Sequence, residues 1–183
     1  VDWSKPIMKT KTVYRVYVDY EKEEKWLNKM AAQGWFLEQF KLGRYEFRQG
    51  NPNEYTYRIE LLEELPNSPK SDAYFELLEE MGITIVATSY RWIYLKKRTE
   101  EGPFQLYSDI DSKIRHEKRI YQLYSFVLYL NLFVTFLNIA NDAVPFIWIL
   151  NFTVSVLFIV FVVKQYRKLV KLKEKRQLVE RDV

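Results

Sequence analysis

Residues 12–48 read TVYRVYVDYEKEEKWLNKMAAQGWFLEQFKLGRYEFR, and residues 55–98 read YTYRIELLEELPNSPKSDAYFELLEEMGITIVATSYRWIYLKKR. Laid over one another, the two stretches form a weak repeat. Tyr14-Arg15-Val16 falls on Tyr57-Arg58-Ile59, Trp26-Leu27 on Tyr74-Phe75, Gly34-Trp35 on Gly82-Ile83, and Arg44-Tyr45-x-Phe47 on Arg91-Trp92-x-Tyr94. A repeat of this kind organises a chain before any single motif does. Tyr14, Val16 and Val18 alternate with Arg15 and Tyr17, which is the period of a strand. Trp26, Leu27, Met30 and Ala31 then recur at helical spacing, and Gly34 stands where a helix commonly ends in a left-handed residue. Gly82 stands in the same place behind Phe75, Leu78 and Met81.

The punctuation between these runs supports one order of elements. Gly43-Arg44 predicts a tight reversal between paired strands, and Gly50-Asn51-Pro52-Asn53 the turn into the second copy. Leu65 to Asp72, LPNSPKSD, predicts a loop closed by a helix N-cap at Ser71 or Asp72. Each copy therefore reads strand, helix, strand, strand. The expected fold is α+β: a duplicated β-α-β-β domain over residues 1–107, with both helices on one face of a sheet in a ferredoxin-like sandwich. A further short strand from Pro103 to Tyr107 is expected to lead through Ser108 or Asp109 into a helical stem over residues 108–120.

The rest of the chain differs in kind. Between Ile120 and Val163 there is no Lys, Arg or Glu and one Asp, Asp142, so the mean hydropathy of -0.30 averages two unlike populations. Residues 121–140, YQLYSFVLYLNLFVTFLNIA, and residues 144–163, VPFIWILNFTVSVLFIVFVV, carry no formal charge. Each has the roughly 20 residues needed to cross about 30 Å of hydrocarbon as a helix. Asn141, Asp142 and Ala143 separate them, and Pro145 falls in the first turn of the second helix, where its missing N–H costs nothing. A transmembrane hairpin over residues 121–163 is expected, followed by a basic cytoplasmic tail over residues 164–183.

Lys113, Arg115, Lys118 and Arg119 precede the first span, and eight Lys or Arg follow the second, whereas the connecting turn holds no cation. The positive-inside rule then places both chain ends in the cytoplasm. The basic pI of about 9.0 belongs to these flanks, because residues 1–112 hold 16 basic and 19 acidic side chains. A mildly acidic domain lacks the footprint that phosphate binding needs, so no nucleic-acid partner is expected. The tail is placed to lie near anionic headgroups. Tyr121, Tyr124, Tyr166 and Trp148 flank the spans as interface anchors. The opening VDWSKPIMKT has no apolar core of the kind a signal peptide carries, and it begins with Val rather than Met, as a trimmed start does.

Trp26, Leu27, Met30, Ala31, Gly34, Trp35, Leu37, Tyr45 and Phe47 spell W-L-x-x-M-A-x-x-G-W-x-L followed by Y-x-F. This pattern resembles the bacterial domain of unknown function family numbered 2812. The resemblance covers most of Thr12 to Arg98. It implies an aromatic domain ahead of hydrophobic spans in the bacterial cytoplasmic membrane, often encoded beside PadR-type repressors, and no established catalytic residues. The second copy departs from the pattern, with Tyr74 and Ile83 where the first has Trp26 and Trp35.

Catalytic constellations are scarce. Without Cys there is no disulfide framework, thiolate nucleophile or Cys-held metal. The one His, His116, lies between Arg115 and Glu117 and reads as a solvated stem residue rather than a base. The acidic runs Glu21, Glu23, Glu24 and Glu60, Glu63, Glu64 lack the spacing and glycine of a calcium loop, and a charged helix start explains the first. No cofactor, metal or catalytic residue is expected, and the chain reads as non-enzymatic.

Aromatic residues make up 17% of the sequence, and Trp26, Trp35, Tyr45, Phe47, Tyr57, Trp92 and Tyr94 are the candidate lining of a ligand or partner groove. Arg15, Arg44, Arg58 and Arg91 would form its polar rim. The competing account, which cross-strand ring pairing favours, is a core filled by those rings. In the spans, Asn131, Thr135 and Asn138 share one face, as do Asn151 and Ser155, and hydrogen bonds across the hairpin would contribute about 0.6 kcal/mol each. The expected function is a membrane-anchored regulatory or adaptor module whose cytoplasmic domain binds a partner protein or associates with itself. The alternative is a domain binding a small apolar ligand or lipid through its rings.

Overall fold

A computed structural model describes residues 9–141 and 144–181 and divides the chain into two compact units that meet in sequence at Leu106 and Tyr107. The turn residues Asp142 and Ala143, the opening residues 1–8 and the last two tail residues lie outside the described residues.

In the first unit the order strand, helix, strand, strand occurs twice, as β1 (Thr10–Tyr14), α1 (Tyr20–Ala32), β2 (Trp35–Lys41) and β3 (Arg44–Gln49), then β4 (Tyr55–Leu61), α2 (Pro69–Glu80), β5 (Thr84–Ser89) and β6 (Trp92–Arg98). The mixed α+β class is the expected one. The strands divide into two antiparallel three-stranded sheets, of order β1-β3-β2 and β4-β6-β5, rather than one sheet under both helices. A strand has two edges, and in each copy the last strand spends both on its own copy.

The two copies superpose in register, although not in the register of the sequence repeat. A bulge between Leu37 and Gln39 recurs between Ile85 and Ala87, 48 residues later in both cases, and Lys41↔Arg44 across the first hairpin recurs as Ser89↔Trp92. Tyr45 therefore matches Ile93, and Phe47 matches Leu95. Val13, opposite Tyr45, matches Glu60, opposite Ile93, so Thr10 and not Tyr14 is the counterpart of Tyr57. A slip of one residue turns a side chain to the other face of a sheet. Tyr45 and Phe47 face α1 with Leu27, Met30 and Ala31, while Ile93 and Leu95 face α2 with Leu78 and Ile83. Trp92 and Tyr94 point out of the back of the second sheet and join the first cluster.

Local chemistry accounts for the other departures. β1 ends at Tyr14, and Val16, expected inside it, is 87% exposed. The first hairpin turns on Leu42 and Gly43, with φ of 46° and 79°, one residue before the expected Gly43-Arg44. α2 starts inside the expected loop: Ser68 is its N-cap, accepting from the Ser71 N–H at 3.2 Å, and Pro69 fills N1, where no N–H is needed. Gly34 and Gly82, at φ of 78° and 72°, close α1 and α2 as read from sequence. Residues 103–107 form no strand, because Phe104 turns inward onto the α2 cluster and its carbonyl accepts from Arg58 Nε at 3.2 Å.

The second unit is two helices, α3 (Ile110–Ala140) and α4 (Pro145–Arg181). Asp109 caps α3, accepting from the Ser112 N–H at 2.7 Å, and stem and first span are one unbroken helix. The seam between the helices follows a heptad rhythm. Glu117, Ile120, Tyr124, Leu128 and Thr135 are buried on α3, and Ser155, Gln165 and Leu169 on α4. Both helices are long and apolar enough to cross a membrane.

Candidate functional site

The buried face of α1 carries a carboxylate among its apolar positions. Glu23 precedes Leu27 by four residues, and both are buried with Met30 and Ala31. Asp19 starts this helix by accepting from the Glu21 N–H at 3.1 Å. One Glu23 oxygen, Oε1, accepts from the Tyr45 hydroxyl at 2.5 Å and from the Tyr94 hydroxyl at 2.7 Å. The second copy therefore contributes half of this arrangement, through the strand that turns Tyr94 backwards. Burial pushes the Glu23 carboxyl above its ordinary range, against the downward pull of its two hydroxyl partners. Both phenols are pushed up, first by burial and then by the neighbouring carboxylate, so they remain donors.

Rings close around this centre. Trp26 meets Tyr45 edge-on at 4.8 Å and Phe47 at 5.6 Å, and Phe40 bridges Tyr45 at 4.7 Å and Tyr94 at 4.6 Å. Tyr57 accepts from the Leu37 N–H at 3.0 Å. Of the seven rings singled out from sequence, Tyr45, Phe47, Tyr57 and Tyr94 are at most 3% exposed and pack as core. Trp26, Trp35 and Trp92 are half-buried at its margin. Arg15 lies over Trp26 at 5.0 Å, beside Tyr17, and Lys11 over Trp35 at 5.5 Å. The other rim arginines are engaged elsewhere: Arg44 with Glu46 at 2.7 Å, Arg58 with Glu24 at 2.6 Å, and Arg91 with the carbonyls of Leu62 and Glu63.

Sequence reading missed Glu23, Phe40 and Asn28. The spacing of Glu23 to Leu27 was the available signal for the first. Asn28 gave none, because what it holds is backbone. Its amide accepts from the Tyr57 N–H at 2.9 Å and donates to the Tyr57 carbonyl at 3.0 Å. Glu24, one turn earlier, accepts from the Ile59 N–H at 3.0 Å. The acidic runs are likewise occupied: Glu60 accepts from the Tyr74 hydroxyl at 2.6 Å.

A second polar centre joins the helices of the hairpin. Glu117, nearly fully buried, pairs with Lys168 at 2.5 Å and accepts from the Gln165 amide. His116, expected to be solvated, is 2% exposed and lies beside the Tyr107 ring at 5.2 Å. Burial drives its imidazole down to about 3, with Arg119, Lys168 and Lys113 adding to the effect. Among the described residues, three of the five polar residues expected to bridge the spans bond back to their own helices. Asn131 donates to the Val127 carbonyl, Thr135 to that of Asn131 and Ser155 to that of Asn151, all within their own helices. Thr135 and Ser155 are buried and Asn131, Asn138 and Asn151 half-buried, so the seam uses them as small or satisfied surface.

The family model described as a protein of unknown function, DUF2812, matches residues 19–129, from the cap of α1 into the apolar part of α3. No curated protein and no solved structure matches the chain.

Proposed function

We propose, since the chain belongs to the DUF2812 family of proteins of unknown function, that it is a membrane-anchored, non-enzymatic adaptor or regulatory module whose cytoplasmic domain binds a partner protein. The observation that carries the anchoring is the outer surface of the hairpin. Phe126, Tyr129, Phe133, Phe136, Phe146 and Val160 are each more than half exposed around a seam that is itself packed. An apolar surface of that extent is stable against lipid and not against water. Cations crowd both ends of the hairpin that lie away from the turn, which favours a cytoplasmic N-terminal domain and tail.

The domain's own chemistry favours binding over catalysis. Glu23 is closed in by two phenols, Glu24 holds a strand edge, and the rings fill the space they enclose. What is left for a partner is the outside of the sheets and α2.

Two measurements test this reading. The chain has no Cys, so Ala143→Cys and Lys175→Cys each give a single labelling site. An impermeant maleimide is expected to label Cys at 143 in intact cells and Cys at 175 only after lysis. The reverse pattern, or release of the chain from membranes without detergent, sinks the anchoring. Purification in mild detergent is expected to retain a stoichiometric protein partner, and a clean chain without one counts against the adaptor role.

A further inference from the structure

Because the first unit is a duplication, a contact made by an element of one copy has a definable counterpart position in the other. The outer edge of β4 is covered. Thr99 N–H bonds to the Glu54 carbonyl and Leu62 N–H to that of Arg91, so Tyr57 and Ile59 present their backbone groups away from β6. α1 lies along that edge and satisfies them. Asn28 takes both groups of Tyr57, Glu24 takes the Ile59 N–H, and Arg58 between them pairs with Glu24 at 2.6 Å.

β1 is the counterpart of β4. Gln49 N–H bonds to the Lys9 carbonyl and Arg15 N–H to that of Gly43, so Thr10, Thr12 and Tyr14 present their backbone groups away from β3. Thr10 matches Tyr57, Lys11 matches Arg58, and Thr12 matches Ile59. Thr10, Lys11 and Thr12 are exposed, and among the described residues no element runs along this edge. α2 is the counterpart of α1, and at the positions of Glu24 and Asn28 it carries Asp72 and Glu76, both exposed beside the half-exposed Leu77. An open strand edge and an unengaged helix face are thus left over in one chain, and they are the two halves of a contact whose other instance is already formed.

We propose that α2 of one chain lies along the β1 edge of a second copy, as α1 lies along β4 within the chain. Charge complementarity selects this occupant. The exposed face of α2 carries Asp72, Glu76, Glu79 and Glu80, and the β1 edge carries Lys9, Lys11 and Arg15. The Arg58–Glu24 pair maps onto Lys11 with Asp72, and the Glu24 bond to Ile59 maps onto Asp72 with the Thr12 N–H. The contact joins unlike surfaces, so it either closes into a ring or propagates along the membrane. It also removes the open edge, which proteins otherwise protect. The inference names a partner for the docking domain and in that sense rests on the adaptor reading, but it does not depend on the topology of the hairpin.

The test uses two full-length single-cysteine chains with different tags, Thr10→Cys and Glu76→Cys, which stand at the positions of Tyr57 and Asn28 and leave the Lys11–Asp72 pair in place, mixed in mild detergent and oxidised. A disulfide between the two tags is expected in the mixture, with neither variant cross-linking to itself. Self-cross-linking of Thr10→Cys would mean edge-to-edge pairing and overturns the proposal, as does a mixture that does not cross-link. Light scattering gives an independent reading: the native chain is expected to be oligomeric, Lys11→Glu and Asp72→Lys each to reduce the mass to that of a monomer, and the double swap to restore it. A native monomer overturns the proposal while leaving the labelling result at position 143 untouched.

Discussion

Asn28 and Tyr57 are joined by two hydrogen bonds, in which one side-chain amide takes both the N–H and the C=O of a residue on a strand edge. A neighbouring strand would make the same pair of bonds, so a helix here completes a sheet. Asn28→Ala leaves two part-buried backbone groups without partners. The expected loss of stability is about 1–3 kcal/mol. Asn28→Asp, which can accept but not donate, should lose less. Denaturant unfolding of the full chain in detergent, followed by tryptophan fluorescence, measures both, and equal losses would argue that the bond donated to the Tyr57 carbonyl, which both substitutions remove, carries the whole effect and the accepted one none.

Glu23 makes the stability of the domain depend on pH. Its carboxyl is raised above 4.5 in the folded state, chiefly by burial. The folded state then holds this proton more tightly than the unfolded one. Its contribution is fully present below pH 4.5 and is lost as pH rises through the folded value. Glu23→Gln, which keeps an acceptor for Tyr45 and Tyr94, should flatten that decline relative to the native chain. Thermal midpoints at several pH values from 4 to 8 give the comparison, and parallel curves for the two chains would reject it.

What could be read from sequence was what repeats locally. The helical spacing of Leu27, Met30 and Ala31, the left-handed Gly34 and Gly82, and the charge-free stretches each announce an element from within a dozen or so residues. Register could not be read this way. The pairing of the strands, with bulges at Leu37/Gln39 and Ile85/Ala87, sets Tyr45 against Ile93 in the two copies, and Trp92 and Tyr94 then leave their own copy to close a core around Glu23. The resemblance of Tyr14-Arg15-Val16 to Tyr57-Arg58-Ile59 reflects what strands are made of rather than where they pair. The burial of His116 was equally hidden, because the charged stem gives no sign of which face α4 will cover.

His116 offers a direct check on that burial. With its imidazole driven down to about 3, the folded state resists a proton that the unfolded state accepts near 6.5. Stability from this group is complete above pH 6.5 and is lost as pH falls from there toward 3. The chain has one His, so its ring signals in an NMR spectrum need no assignment by mutagenesis. They should stay fixed between pH 8 and 5. A titration centred near 6.5 would show the ring to be in water, as the sequence alone suggested.

The hairpin between β2 and β3 can be improved. Leu42 is 88% exposed and sits at φ 46°, a backbone region that costs a non-glycine residue roughly 1 kcal/mol, and its side chain recovers none of this by packing. Leu42→Asn would create Asn-Gly, the pair that this turn favours. It should stabilise the domain by up to about 1 kcal/mol, or roughly 4–8 °C in midpoint for a domain of this size. Gly43 has no such latitude: it sits at φ 79°, and a Cβ there would meet the Arg15 carbonyl oxygen at 2.7 Å. Gly43→Ala should therefore lower the midpoint while Leu42→Asn raises it. The same sign for both substitutions would mean that the turn does not have the left-handed geometry that sets the register of the first sheet.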